Sequence, residues 1–461
     1  VHVPEIEKQT GMETYATQTK GIGGNIRENI DDFIVEEILI DGSIAHVENS
    51  ENTAERKVLG CSTKETPYLL CKFLKRDWDT LLAVRNIADR LGIGMTQVQT
   101  AGIKDAKALT AQFITVENVS PEQIRKIQTK DMEIHPLGYL HNRLAAYYLW
   151  GNSFHIRISA VNHSGTETNK RVAKTLEELV AIGGVPNFFG HQRFGTARPI
   201  THLVGKAIIK KDLKKAAMLY LAKSTMHEHP SSRLARIELL KTHNFHKALK
   251  DFPKQLRYER SMINELVKNP ADFSGALKTL PFKLREMFIQ AYESYLFNRF
   301  LSRRIKEQLP LKTAEVGDFV IAVERTGIPT QTMSKMAKPE NLTEINDAIQ
   351  AGKLRLAIPL IGYRQRCSGG KQGEIEEQIL EKEDVSPEEF RTSIMPEISA
   401  AGRLRTTLTP IIDFSADKIM PNTRRPRSYN IQTAFKLQKG SYATTLLREI
   451  MKPKRIIQEG F

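Results

Sequence analysis

The sequence predicts an α+β protein in which one domain is interrupted by a mainly helical insertion, and two observations carry that prediction. Period-two alternation of apolar residues recurs in both halves, at Asp31–Ile38, Asn152–Ser159 and Asn430–Leu437, as half-buried strands require. Between them, from Pro186 to about residue 375, the pattern becomes helical and basic. We therefore expect a first domain part over 1–185, an inserted domain over 186–375 and a second part over 376–461. No fixed-period repeat or low-complexity tract competes with this reading.

The elements follow in order. Phe33 and Val35 share one face of the first strand. Trp78 to Leu91 places Leu81, Leu82, Val84, Ile87, Ala88 and Leu91 at roughly helical spacing and stops at Gly92. Phe113 to Val116 is β-branched and aromatic enough for a strand, and Phe154, Ile156 and Ile158 line one side of the next. Lys170 to Ile182 reads as an amphipathic helix through Val172, Leu176, Leu179 and Val180, closed by Gly183 and Gly184. Pro186 marks a boundary. Beyond it come the basic run Lys206–Lys215 and a long helix around Phe288–Arg304, before the strand Asn430–Leu437.

The chain has 461 residues and a net charge of +15, which favours a polyanionic partner through long-range attraction and counterion release. Nucleic acid leads that class, and the alternative is an excess of Lys and Arg that merely solvates helices. Cys61, Cys71 and Cys367 show no CxxC pairing, so a reducing compartment is expected. No apolar run of about 18 residues occurs and the first residues lack an apolar signal region, which predicts a soluble, cytoplasmic protein with no membrane partner.

Several chemistries are disfavoured. Gly21, Gly23 and Gly24 hint at a dinucleotide fingerprint, but position 26 is Ile and no clear strand precedes them. His227 with His229, and His243 with His246, lack acidic or cysteine companions at ligand spacing, so no metal is expected. Neither a phosphate loop nor a GxSxG elbow appears, and no cysteine sits beside an activating histidine.

What remains is an acid in a short basic loop, Asp105 within Gly102–Gln112 (GIKDAKALTAQ). Asp is a favoured helix N-cap, and Ala106 to Gln112 offers a helical turn for it to cap. The same carboxylate, kept ionised by Lys104 and nearby cations, is equally placed to attack carbon or remove a proton. Phe154 reads either as a core aromatic or as a ring for stacking on a base, and Asn152 lies on its face of the strand, where an amide can hydrogen-bond a base edge. Arg27 is either an ordinary surface arginine or the cation that holds Asp105 charged. Pro186–Gly195, PNFFGHQRFG, is not helix-forming and should be a compact turn serving as hinge and site wall.

Together these residues resemble the TruD family of pseudouridine synthases. The signature GxKDxxAxTxQ is met by Gly102, Lys104, Asp105, Ala108, Thr110 and Gln112. GNxF is met by Gly151, Asn152 and Phe154, and PNxFGxQRFG by Pro186 through Gly195. DFxVxE is met by Asp32, Phe33, Val35 and Glu37, and GSxATxxxRE by Gly440, Ser441, Ala443, Thr444, Arg448 and Glu449. The motifs keep the family's order over about residues 20–455.

The resemblance implies a pseudouridine-synthase catalytic domain, with a mixed, largely antiparallel sheet flanked by helices and an inserted, mainly helical α/β TruD domain. It implies an isomerase that converts a uridine of tRNA to pseudouridine without a cofactor, in the best-known case at position 13 of the D arm. Asp105 would be the catalytic aspartate, by attack at C1′ or by proton abstraction that gives a glycal. Phe154, Asn152, Arg27, Lys104, Phe33, Gln192 and Arg193 would bind substrate. Arg27 stands where the family often has lysine, and the long insertion looks like that of an archaeal member. The rival reading is an RNA-binding chaperone on the same fold that does no chemistry; a nucleobase-modifying transferase would need a donor-binding motif that the sequence does not show.

Overall fold

A computed structural model describes residues 2–48 and 57–461. Its strands are β1 (Phe33–Leu39), β2 (Tyr68–Arg76), β3 (Val98–Thr100), β4 (Leu109–Glu117), β5 (Met132–Leu140), β6 (Leu149–Val161) and β7 (Val185–Pro186) in the first part of the chain. Then come β8 (Phe319–Val323), β9 (Pro329–Met336), β10 (Leu354–Leu360), β11 (Arg403–Thr406), β12 (Leu408–Thr409), β13 (Ile412–Pro421) and β14 (Tyr429–Gln438). An eight-stranded sheet runs β13-β14-β6-β1-β4-β2-β5, with β3 on β4. Every pairing in it is antiparallel except β1 with β4. The mixed, largely antiparallel sheet is therefore present.

That one parallel pairing positions the site. Ile34 lies opposite Leu109, so the chain enters β4 beside the start of β1, while Val35 and Glu37 face Phe154 and Asn152 of β6. Leu109 to Gln112 belongs to β4, and Leu109 to Ala111 pairs on both sides, so no helix follows Asp105 and the capping alternative does not hold. Good helix formers such as Leu109 and Ala111 are overridden there by two strand neighbours.

Helices cover the sheet. Thr80–Leu91 is capped by Asp79, whose carboxylate accepts from the Leu81 and Leu82 amides, and ends at left-handed Gly92. Its buried Ala83, Val84 and Ile87 pack with Leu69, Cys71 and Phe73 of β2. Gly165–Ile182 and Ala443–Met451 pack with Phe33, Phe154, Ile156 and Phe435 in a second core. Gly183 closes the former helix at φ 97°, and a Cβ on Gly184 would stand 2.3 Å from the Thr409 carbonyl oxygen, so two glycines stop the helix and admit β12.

After β7 the chain builds the helices of the inserted part around the 25-residue helix Phe282–Lys306. A separate four-stranded sheet, β11-β10-β8-β9, follows, and Gly370–Glu383 packs on the long helix. The chain returns to the eight-stranded sheet at Ile412.

Candidate active site

The loop Gly102–Ala108 is held by its carbonyl oxygens. Gln112 Nε2 donates to Gly102 at 3.2 Å, Thr80 Oγ1 to Lys104 at 3.2 Å, Lys75 Nζ to Asp105 at 2.7 Å, and the Asp77 amide to Ala108 at 3.2 Å. The Lys104 amide donates back to Thr80 Oγ1 at 3.1 Å. Each bond adds about 1 kcal/mol or less, but four anchors along seven residues fix the direction in which Asp105 projects.

Asp105 Oδ1 accepts from two side chains that come from distant segments: Arg27 Nη2 at 3.1 Å and Gln192 Nε2 at 2.9 Å. Among the described residues none donates to Oδ2. One oxygen is thus clamped, and the other is left to act. Arg27 itself is over-determined, with Nη1 on the Gly460 carbonyl at 2.8 Å and its guanidinium 3.9 Å from the centre of the Phe33 ring. Its backbone is left-handed, φ 57°, which costs a residue with a Cβ about 1–2 kcal/mol and persists only where such contacts hold it. Burial lowers the Arg27 pKa, while the Asp105 charge and hydrogen bond oppose the fall.

Lys104 is not the partner of Asp105. Its ammonium makes a buried ion pair with Glu37 at 2.6 Å, and the other Glu37 oxygen accepts from the Phe113 amide at 2.8 Å. The motif residues Glu37, Lys104 and Gln112 thus build the loop's seat.

Arg27, Phe33, Lys104, Asp105, Asn152, Phe154 and Gln192 all line one open cleft of about 1180 Å³ between the eight-stranded sheet and the inserted part. Phe154 is both core and wall: it is 3% exposed, stacks on Phe435 at 5.4 Å and meets the edge of Phe33 at 6.3 Å. Asn152 Oδ1 is buried without a hydrogen-bond partner beside it. Lys107, Arg424, Arg425 and Lys439 add cations to the cleft.

Arg193 turns the other way. It donates to Ser294 Oγ at 3.1 Å and Gln290 Oε1 at 3.2 Å on the helix Phe282–Lys306, and its guanidinium lies over Phe189. Adjacent residues of PNFFGHQRFG thus reach in opposite directions, Gln192 to the acid and Arg193 to the insertion. Phe188, Phe189 and Phe194 are buried, as a compact hinge requires.

Sequence reasoning missed Lys75, which is buried in β2. The signal was strand parity, since Lys75 follows Leu69, Cys71 and Phe73 on one face. It also left Arg448 and Glu449 without a task. Arg448 holds Glu7 at 2.9 Å and the Thr14 carbonyl at 2.9 Å, and Glu449 takes the Ala16 and Thr17 amides, so this motif fastens the segment 7–17 to the sheet's helix. No group of three or more His, Cys, Asp or Glu that could hold a metal occurs among the described residues, and no described helix is long and apolar enough to cross a membrane.

A family model described as tRNA pseudouridine synthase D (TruD) matches residues 9–450. A Methanosarcina mazei protein named "Probable tRNA pseudouridine synthase D" is 38% identical over 98% of both chains, and a Thermococcus onnurineus protein of the same name is 34% identical over 95% of this chain and 97% of its own. A crystal structure of a TruD protein from Methanosarcina mazei superposes with a TM-score of 0.82 at 38% identity, covering 99% of this chain and all of the other. Sheet, insertion and these matches put the chain in the pseudouridine-synthase class. Within that class it belongs to the TruD family.

Proposed function

We propose that this protein isomerises a uridine of tRNA to pseudouridine in the cytoplasm, with uridine 13 in the D arm as target, Asp105 as the catalytic aspartate and no cofactor. The observation that carries the reading is the carboxylate itself, clamped at Oδ1 by Arg27 and Gln192 in a basic cleft with Oδ2 unoccupied by any described donor.

In the reaction the N1–C1′ bond breaks, the uracil turns, a C5–C1′ bond forms, and the C5 proton is lost while N1 gains one. No atom is added or removed overall. Both routes available to an aspartate, attack at C1′ and abstraction of a sugar proton to give a glycal, need an ionised oxygen free to meet the sugar. Arg27 keeps its charge beside Oδ1, and its hydrogen bond fixes the direction in which the carboxylate points. The target base must leave its stack at a cost of a few kcal/mol. Phe154 and Phe33 offer it an aromatic wall, and the unpartnered Asn152 Oδ1 offers an acceptor to its edge. Lys104 acts through its seat under the loop, and Arg193 by fastening the segment that delivers Gln192.

We also assign the unit boundaries from the strand order: the first at 185/186, and the second near 411 rather than 375, because Gly370–Glu383 and β11 pack with the inserted part.

The test is pseudouridine content of a tRNA transcript after incubation with wild type and with Asp105→Asn. Product from wild type alone is expected, at the D-arm uridine. Undiminished product from the variant would remove Asp105 from the chemistry; RNA binding without product from wild type would favour the non-catalytic chaperone.

A further inference from the structure

Beside the catalytic cleft lies a second cavity of about 710 Å³. Asn25 and Arg425 line both, so the two are continuous at those residues. One wall is the glycine turn Gly21–Gly24; another is the segment following the helix Ala443–Met451, through Lys454, Arg455 and Glu459.

Its charge is one-sided. Six cations line it and only one carboxylate, Glu459, which is engaged by the Lys454 and Arg455 amides at 3.1 and 3.2 Å. Lys452 is neutralised by Glu449 at 2.7 Å, Arg171 by Glu167 at 2.6 Å and Arg425 by Glu28 at 2.9 Å. Lys20 and Lys454 are exposed and make no ion pair with a described residue; Arg455 is 73% exposed and meets Glu459 only at 3.9 Å. Three cations therefore face solvent without a close acidic partner. An anion that meets these three gains attraction and releases counterions without breaking a close ion pair.

The glycine turn gives the groove its width. Gly23 and Gly24 are left-handed at φ 65° and 95°. A Cβ on Gly24 would stand 2.8 Å from Ile158 Cγ2, so the turn lies against β6, whereas a Cβ on Gly23 would meet nothing within 4 Å. The dipeptide thus keeps a side chain out of open space. The Gly23 amide is held by the Met451 carbonyl at 3.0 Å, which ties the turn to the basic segment opposite.

We infer that the RNA strand running from the target uridine passes Arg425 and lays its ribose-phosphate backbone in this groove, against Lys20, Lys454 and Arg455. This rests on the tRNA reading above, and it assigns a phosphate-binding track outside the cleft. Phosphate contacts set register and affinity without reading sequence, so the groove lowers KM and leaves the chemical step alone.

The experiment uses the full chain, a tRNA transcript and the variant Lys20→Ala/Lys454→Ala/Arg455→Ala, with melting temperature as the check on folding. KM should rise about tenfold or more with kcat within about twofold of wild type, and the slope of log affinity against log salt should flatten by about 2, near 0.7 for each phosphate that is no longer neutralised. Lys20→Arg/Lys454→Arg/Arg455→Lys should restore both. Unchanged KM and salt slope in the alanine variant would overturn the track, as would a loss confined to kcat. A gel-shift titration of the same RNA reads the groove independently of turnover. If wild type makes no pseudouridine yet the variant binds RNA more weakly with a flatter salt slope, the track stands and the isomerase reading falls; equal binding sinks the track and leaves a protein segment of acidic character as its occupant.

Discussion

Gln192 Nε2 donates to Asp105 Oδ1 across 2.9 Å, joining two walls of the cleft that lie 87 residues apart in the chain. The neighbouring Arg193 grips the helix Phe282–Lys306, so the orientation of the acid is tied to the seating of the insertion. Gln192→Leu removes the donor and keeps the bulk. Because the bond is exposed, its loss should cost about 1 kcal/mol, a roughly fivefold fall in kcat, with an unchanged melting temperature. Wild-type turnover in this variant would show that Arg27 alone orients the acid.

Arg27 does more than Gln192, since one guanidinium meets Asp105, the Gly460 carbonyl and the Phe33 ring. Arg27→Met leaves Asp105 without its cation and should lower kcat by about 100-fold or more. Arg27→Lys keeps the charge but cannot span both oxygens, so a loss of about tenfold is expected. Steady-state rates of pseudouridine formation separate the two, and equal losses would mean that geometry, not charge, is what Arg27 supplies.

The buried pair Lys104–Glu37 predicts a stability effect. Glu37→Gln leaves an ammonium buried opposite a neutral amide, which should destabilise by about 3–5 kcal/mol in a denaturant melt. The double variant Glu37→Gln/Lys104→Met should recover a good part of that, because the stranded charge is gone. Additive losses would mean that the two residues do not depend on each other.

How much of this was legible follows from the range of each interaction. The strands at Phe33 and Asn152, and the helices ended by Gly92 and Gly183, obey local periodicity and local caps, so they read directly from the chain. Asp105 stood out because an acid among basic neighbours is visible locally. Its partners were not: Lys104 looked like its cation by adjacency, yet the buried carboxylate of Glu37 takes it across a sheet pairing that no spacing reveals. The helical turn that was one alternative after Asp105 is absent for the same reason, since β1 and β2 claim Leu109–Ala111 from either side. Arg27 reads from sequence as either a surface arginine or a partner of Asp105, and its left-handed backbone has no sequence signal beyond the glycines before it.

Phe154 needs a variant that separates its two tasks. Phe154→Ala empties a site packed by Phe33 and Phe435 and should cost about 3–5 kcal/mol of stability, confounding any activity loss. Phe154→Leu fills most of the volume and should cost about 1.5 kcal/mol or less. It removes the aromatic surface offered to the base, so turnover should fall about tenfold with folding intact, in line with about 1–3 kcal/mol per stacked base. A fully active Leu variant would return Phe154 to the core.

Lys75 makes the pH dependence specific. Burial pulls its pKa down from 10.5 to about 8, against the opposing pull of Asp105 and Asp79. Below pH 8 folded and unfolded chains both carry the charge, and its burial is a constant penalty. Between about 8 and 10.5 the unfolded chain holds a proton that the folded one has released, so raising the pH favours the fold. Lys75→Met has no such proton. The stability of wild type relative to Lys75→Met should therefore increase by about 1.5 kcal/mol from pH 8 to pH 9.5, read from paired denaturant melts. A flat difference would mean that Lys75 keeps its charge throughout. Activity should behave differently, because a neutral amine still donates to the Asp105 carbonyl. Wild-type kcat should not collapse as Lys75 deprotonates, whereas Lys75→Met, which loses that anchor at every pH, should be slower than wild type at pH 7 and pH 9 alike.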